Sequence, residues 1–191
     1  MMGIVVWIRS RARAGVWGLA LAVVGTVAAP GAGSPQPAAS IDARIWLDRG
    51  SEAVMERGDR ARVYYRTSRD AYVAIFRVDT DGTARLVHPR YPGEDHYVRA
   101  GREYRLLFPR SSYWHVDDDP GVGYFFLVAS ATPFDFGRLH WSSTSDAWDL
   151  SAVGATVYSD PYVAVDAYVS VLIPGWRRLP YGVHVTEYHV G

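Results

Sequence analysis

The sequence predicts a mainly β fold: an antiparallel β-sandwich or partly open barrel, with one short helix near the C-terminus. Three observations predict it. Residues 43–48 and 61–67 alternate side-chain character with a period of two, the mark of half-buried strands. Ala71–Val78 and Gly121–Ser130 are apolar on both faces for most of their length, as strands covered from both sides are. Clusters of Gly, Pro and Asp punctuate these segments roughly every 8–12 residues, the spacing of antiparallel sandwiches and barrels.

In chain order, residues 43–48 (ARIWLD) place Ile45 and Leu47 on one face and Arg44, Trp46 and Asp48 on the other. Gly58-Asp59 marks a turn. Residues 61–67 then set Ala61, Val63, Tyr65 and Thr67 on one face and Arg62, Tyr64 and Arg66 on the other. After the central strand, Asp79-Thr80-Asp81-Gly82 turns the chain and residues 83–88 return; Gly82 supplies the positive φ that such a turn favours. Residues 96–99, 103–108 and 113–116 are shorter strand candidates, and residues 134–154, which hold Trp141 and Trp148, read as irregular. Residues 160–173 carry two signals. Ser159-Asp160-Pro161 fits a helix cap with proline in the first turn, and Pro174-Gly175 fits a stop. Val163, Val165, Val169 and Val171 instead keep strand spacing. Residues 182–190 read as a further strand.

A chain of 191 residues, 49% of them apolar, suits one domain with a tail or subdomain. Its formal net charge is zero. Residues 1–40 hold Arg9, Arg11 and Arg13 and no acid, so the remainder carries −3. No basic field exists to hold phosphates, which excludes nucleic acid as the expected partner. Cysteine is absent, and with it any disulfide, thiolate nucleophile or lipid-modified cysteine.

The N-terminal layout is basic (9–13), then apolar (16–29), then rich in small residues and proline (30–40). That is the order of a secretory signal peptide followed by a flexible linker. The apolar run is shorter than the roughly 20 residues of a spanning helix. Cleavage is expected after Ala28 or Ala39, and the protein is expected in the periplasm or outside the cell; only an uncleaved N-terminal segment would touch a membrane. The expected division is 1–40 signal and linker, 41–133 a β-sandwich-like domain, and 134–191 an extension packed on its sheet.

The stretch 58–91, GDRARVYYRTSRDAYVAIFRVDTDGTARLVHPRY, resembles the core of a family known as domain of unknown function 4384, with exported or multidomain bacterial members. It carries the Gly58-Asp59 turn, the Asp70-Ala71-Tyr72-Val73 opening of a central strand, the Asp81-Gly82 turn and a return ending in Leu86 to Pro89. Ala100, Gly101, Tyr104, Leu106 and the 121–130 strand extend the resemblance over about residues 45–133. Asp160-Pro161-Tyr162-Val163-Ala164 and the tyrosine-bearing final strand are similar to longer exported relatives, which implies a helix over 160–173. The resemblance implies a small β-sandwich-like domain, and no activity, cofactor or catalytic residue comes with it.

Candidate site residues are few. Asp79, Asp81 and Gly82 look like part of a calcium loop, but residues 83–86 supply no further oxygen ligands. The expected role of these aspartates is to cap turn N–H groups. Asp117, Asp118 and Asp119, ahead of Pro120, form the densest acid run, a candidate surface site for a hard cation, joined by the Asp79 turn if both lie at one end of the sandwich. His184 and His189 are an odd number of residues apart in a strand and should point to opposite faces. No HExxH pattern, Gly-x-Ser-x-Gly elbow or phosphate-cradling glycine loop occurs. No catalytic, cofactor-binding or metal residue is assigned. Aromatics make up 14% of the chain. Trp46 and Tyr64 lie on faces that read as polar and are candidate binding residues, unless the C-terminal segment covers them. Arg66, Arg69, Asp70, Asp79, Asp81 and His88 read as sheet trim and turn chemistry. The expectation is an exported, non-catalytic binding domain of the cell envelope, its partner an envelope protein or polysaccharide. The alternative is an envelope hydrolase acting on sugar or peptide polymers.

Overall fold

Period-two alternation dictates a small sheet, and the doubly apolar runs dictate a larger one behind it. The computed structural model describes residues 40–109 and 111–191, all within one compact unit. Apart from Ser40, the expected signal and linker lie outside the described residues. The first strands are β1 (Ala43–Leu47), β2 (Val54–Met55), β3 (Arg60–Ala61), β4 (Val63–Thr67), β5 (Ala71–Val78) and β6 (Ala84–His88). The short β7 (Tyr97–Val98), β8 (Tyr104–Arg105) and β9 (Trp114–His115) lead to the long β10 (Gly121–Ser130). A 3-10 turn (Phe136–Arg138), β11 (His140–Ser142), β12 (Ala147–Asp149), helix α1 (Pro161–Leu172) and β13 (Tyr181–Val190) complete the order.

The small sheet runs β1-β4-β8 and the large one β2-β13-β10-β5-β6, with β7 beside β5. The two sheets sandwich a core into which β1 and β4 send Ile45, Val63 and Tyr65, while β5 and β10 send Val73, Ile75, Phe125 and Leu127. Alternate residues of the same central strands, Ala74, Phe76, Phe126 and Val128, face a second core against α1. That double burial is why these strands carry almost no polar side chains. Phe125 and Phe126 are fully buried on opposite faces, and each contributes about 1.5–3 kcal/mol of transfer free energy. The sheets do not close into a barrel.

The C-terminal elements are integral to both cores. β13 pairs antiparallel with β10 over ten residues, Gly121↔Val190 to Ser130↔Tyr181. Tyr188 lies over Gly123 at that register, and a Cβ on Gly123 would stand 2.1 Å from the Tyr188 ring. The helical signal of residues 160–173 prevails over their strand spacing. Asp160 accepts from the Tyr162 N–H at 2.9 Å, and Pro161 occupies the first turn. Ala164, Val165, Tyr168, Val169 and Leu172 are buried at helical spacing, leaving Val163 exposed. Gly175, at φ 74°, follows the helix end. One sequence expectation is corrected: residues 134–154 are not irregular throughout, because β11 and β12 form a hairpin with Trp141 opposite Trp148.

Candidate functional site

The outer face of the small sheet is built by the polar half of the β1 and β4 alternation. Trp46 and Tyr64 are direct partners in register. Their rings stack with centroids 5.9 Å apart and planes 18° apart. The Arg44 guanidinium lies 5.9 Å from the Trp46 ring centroid. Both aromatics are half-buried and Arg44, Arg66 and Arg105 are exposed. The C-terminal helix does not cover this face; it packs on the far side of the large sheet. Trp46 also borders a cleft of about 420 Å³ at the free edge of β1, with Glu52, His184 and Glu187 in its wall. There the Ile45 N–H donates to His184 Nδ1 at 3.2 Å. Burial, and then Arg44, hold the His184 pKa below its ordinary value. His189, five residues on along β13, borders the same cleft.

The acid run meets the Asp79 turn, and a cation already stands between them. It is Arg77, a residue that sequence reasoning passed over. Arg77 is 6% exposed and donates from Nε to Asp79 at 2.5 Å, from one Nη to Asp117 at 3.1 Å and from the other to Asp118 at 3.3 Å. Its guanidinium also faces the buried Trp114 ring at 5.4 Å. Burial opposes its charge most strongly, but Asp79, Tyr188 and Asp118 together outweigh it and raise its pKa. Asp118 is 7% exposed and takes a hydrogen bond from the Tyr188 hydroxyl. Burial holds the Asp118 pKa above the usual carboxylate value, against the pull of Tyr188 and Arg77. Asp118 is therefore a buried structural partner rather than a surface residue. Asp117 and Asp119 stay exposed, their side chains 70% and 80% accessible, and Arg57 contacts both. No group of three or more His, Asp or Glu is placed to hold a metal among the described residues. The signal that could have revealed Arg77 is an arginine breaking an apolar strand with an acid two residues on, on the same face.

The remaining charges sort cleanly. Asp70 accepts from the Ala100 N–H at 2.8 Å and the Tyr97 hydroxyl at 3.1 Å, and these bonds lower its pKa. Asp81 accepts from the Thr83 N–H at 2.8 Å, which is turn chemistry as expected. Arg66 is exposed on the outer face, and the Arg69 carbonyl accepts from the Thr67 hydroxyl at 2.7 Å. Asp79 and His88 depart from the expectation of trim. Asp79 is buried between Arg77 and Arg85, and His88 is buried with Nδ1 3.5 Å from Glu94.

Residues 54–133 match the family model described as a domain of unknown function, DUF4384. This stretch is a DUF4384 domain. No curated protein and no solved structure matches the chain. The matched DUF4384 segment contains β2 to β10 and leaves β1, α1 and β13 outside it. The outer face is thus shared: Tyr64 and Arg66 belong to the DUF4384 segment, whereas Arg44 and Trp46 come from the strand before it.

A second concavity forms where the C-terminal hairpin docks on the DUF4384 segment. Trp148 Nε1 donates to the Pro89 carbonyl at 2.8 Å and Trp141 Nε1 to the Arg90 carbonyl at 3.2 Å. Tyr91, Glu94, His96, Phe136 and the two indoles border about 300 Å³. Glu94 receives Arg90 Nε at 2.7 Å. Burial pushes the Glu94 pKa up, but His88 and Arg90 together hold it down to about 2. The Arg90 guanidinium lies 5.5 Å from the Tyr91 ring. This cleft's charges therefore pair internally.

Proposed function

We propose that this protein is an exported, non-catalytic interaction domain of the bacterial cell envelope that binds through the outer face of the β1-β4-β8 sheet. The observation that carries this reading is the Trp46–Tyr64 stack, half-exposed and flanked by Arg44. Trp, Tyr and Arg are the residues that dominate binding energy at protein surfaces. Rings already held against each other lose little freedom when a partner arrives. The signal-like order of residues 1–40 supports export. The pairing of the strongly shifted groups supports a non-catalytic role, because Arg77, Asp118 and Tyr188 are spent on one another and Glu94, in the wall of the second cleft, is spent on Arg90 and His88.

The test is co-sedimentation of the full chain with washed bacterial envelope fragments. Wild-type protein should pellet saturably. Replacing both aromatics, Trp46→Ala with Tyr64→Ala, should weaken pelleting about tenfold, the equivalent of 1.4 kcal/mol, at a temperature where circular dichroism shows both proteins folded, since losing a stacked cross-strand pair also lowers the thermal midpoint. Equal pelleting of wild type and variant would remove the face from the reading. Release of soluble sugar or peptide fragments during incubation would establish a hydrolase in its place.

A further inference from the structure

We infer that the ligand of this face is an acidic polysaccharide, its anionic groups held by Arg44 and Arg66; this rests on the outer face being the binding surface. Arg44 and Arg66 are direct cross-strand partners. Side chains so placed start about 5 Å apart, and like charges directly opposite destabilise a strand pair. Arg62, just before β4, has its own acid in Asp48 at 3.9 Å. Arg44 and Arg66 border one cleft of about 210 Å³ in which Asp42 is the single acid. Two guanidiniums against one carboxylate leave a positive charge for a ligand to answer. Arginine's planar fork suits a carboxylate or a phosphate group on a sugar.

The next position along each strand supplies the ring pair, Trp46 opposite Tyr64, and Arg105 stands opposite Tyr64 on β8. An anion clamp, a ring pair and a third arginine therefore follow one another on one flat face. Residues two apart on a strand are separated by roughly 7 Å, which is the distance along the sheet from the arginine pair to the ring pair.

Several alternatives fit less well. Tyr64 and Arg44 sit against Trp46, so it offers an edge more than a stacking platform for a neutral sugar. Nucleic acid needs a broad positive field, whereas the chain beyond residue 40 carries −3. A lipid surface needs projecting apolar side chains, and the aromatics here are half-buried. Glu52 and Glu187, in the cleft on the other side of β1, confine an anionic chain to the Arg44–Arg66 side.

The experiment is a fluorescence titration of the full chain with polygalacturonate at about 0.1 M salt, where screening acts over about 10 Å. Neutral dextran, duplex DNA and anionic phospholipid vesicles are run in parallel. Saturable, salt-sensitive binding of polygalacturonate is expected. Arg44→Gln and Arg66→Gln should each weaken it about tenfold, and the thermal midpoint should hold or rise as repulsion is relieved. Arg138→Gln, at an exposed ion pair with Asp135, should change nothing. No saturable response, equal binding of DNA or vesicles, or indifference to both arginine changes would overturn the inference. If the arginine variants still pellet with envelope fragments while the Trp46/Tyr64 variant does not, the ligand class is wrong and the face reading stands. If the aromatic variant pellets normally, the face reading itself fails.

Discussion

Arg77 decides how the acidic end of the molecule behaves. It lies on a central strand with Asp79 two residues on, so alternation puts both on the face that meets Asp118 from the neighbouring loop. Removing the guanidinium leaves Asp118 buried without a counter-charge and Asp79 with Arg85 alone. Arg77→Ala should therefore cost about 3–5 kcal/mol, whereas Asp119→Ala, at an exposed position, should stay within about 0.5 kcal/mol. Urea unfolding of both variants measures the contrast; equal, small losses would mean that the network contributes nothing. Half of this network was legible: the pairing of Arg77 with Asp79 follows from period two. The arrival of Asp118 and Tyr188 was not, because residues 118 and 188 meet only through the pairing of β10 with β13. Trp46 and Tyr64 were legible as outward residues for the same local reason. Their stacking was not, since it depends on the register between two strands.

At the scale of elements, local patterns carried furthest where burial is one-sided or complete. The bounds of β5 and β10 coincide with their apolar runs, and α1 begins at its Asp160 cap. The β11–β12 hairpin escaped because its two strands are three residues long and lack alternation. The contact between β1 and β13 was equally hidden, and it is pH-sensitive. The Ile45 N–H donates to His184 Nδ1, so the neutral ring carries its proton on Nε2. Protonating Nδ1 removes the acceptor. Burial and Arg44 lower the folded pKa, with nearby Asp42 opposing them. The unfolded chain, with a pKa near 6.5, thus takes up the proton first. Stability is complete above about pH 6.5 and falls as pH drops through the lowered folded value. Glu94, held at about 2, adds a separate loss only between its unfolded value, near 4.3, and about 2. Thermal midpoints from pH 7.5 downward should decline in the upper window, and His184→Gln, which can accept the same N–H without titrating, should flatten that decline. A parallel decline in the variant would assign the effect to other groups.

Across the whole molecule, the DUF4384 segment is not a self-sufficient unit in this chain. Residues 54–133 end just after β10, whose outer edge is then an unpaired ten-residue strand. Such an edge is a template for association. The same cut uncovers the second core face, where Ala74, Phe76, Phe126 and Val128 pack against Tyr168, Val169 and Leu172 of α1. It also removes Tyr188 from the Trp114–Phe125 cluster, where the rings lie 4.5 and 5.5 Å from it. Three buried aliphatic or aromatic side chains lost from a core already amount to about 5–9 kcal/mol of transfer free energy, comparable with the whole stability of a domain. A chain of residues 40–133 should therefore be aggregated or lack a cooperative transition. Adding residues 134–191 as a second chain should restore a soluble complex with a single unfolding step, because β13 and α1 bring their own complementary edge and face. Circular dichroism, dye binding to exposed apolar surface and size-exclusion chromatography read all three states. A monomeric 40–133 chain that unfolds cooperatively would show that the first core suffices alone, and that the C-terminal elements decorate the sheet instead of completing it.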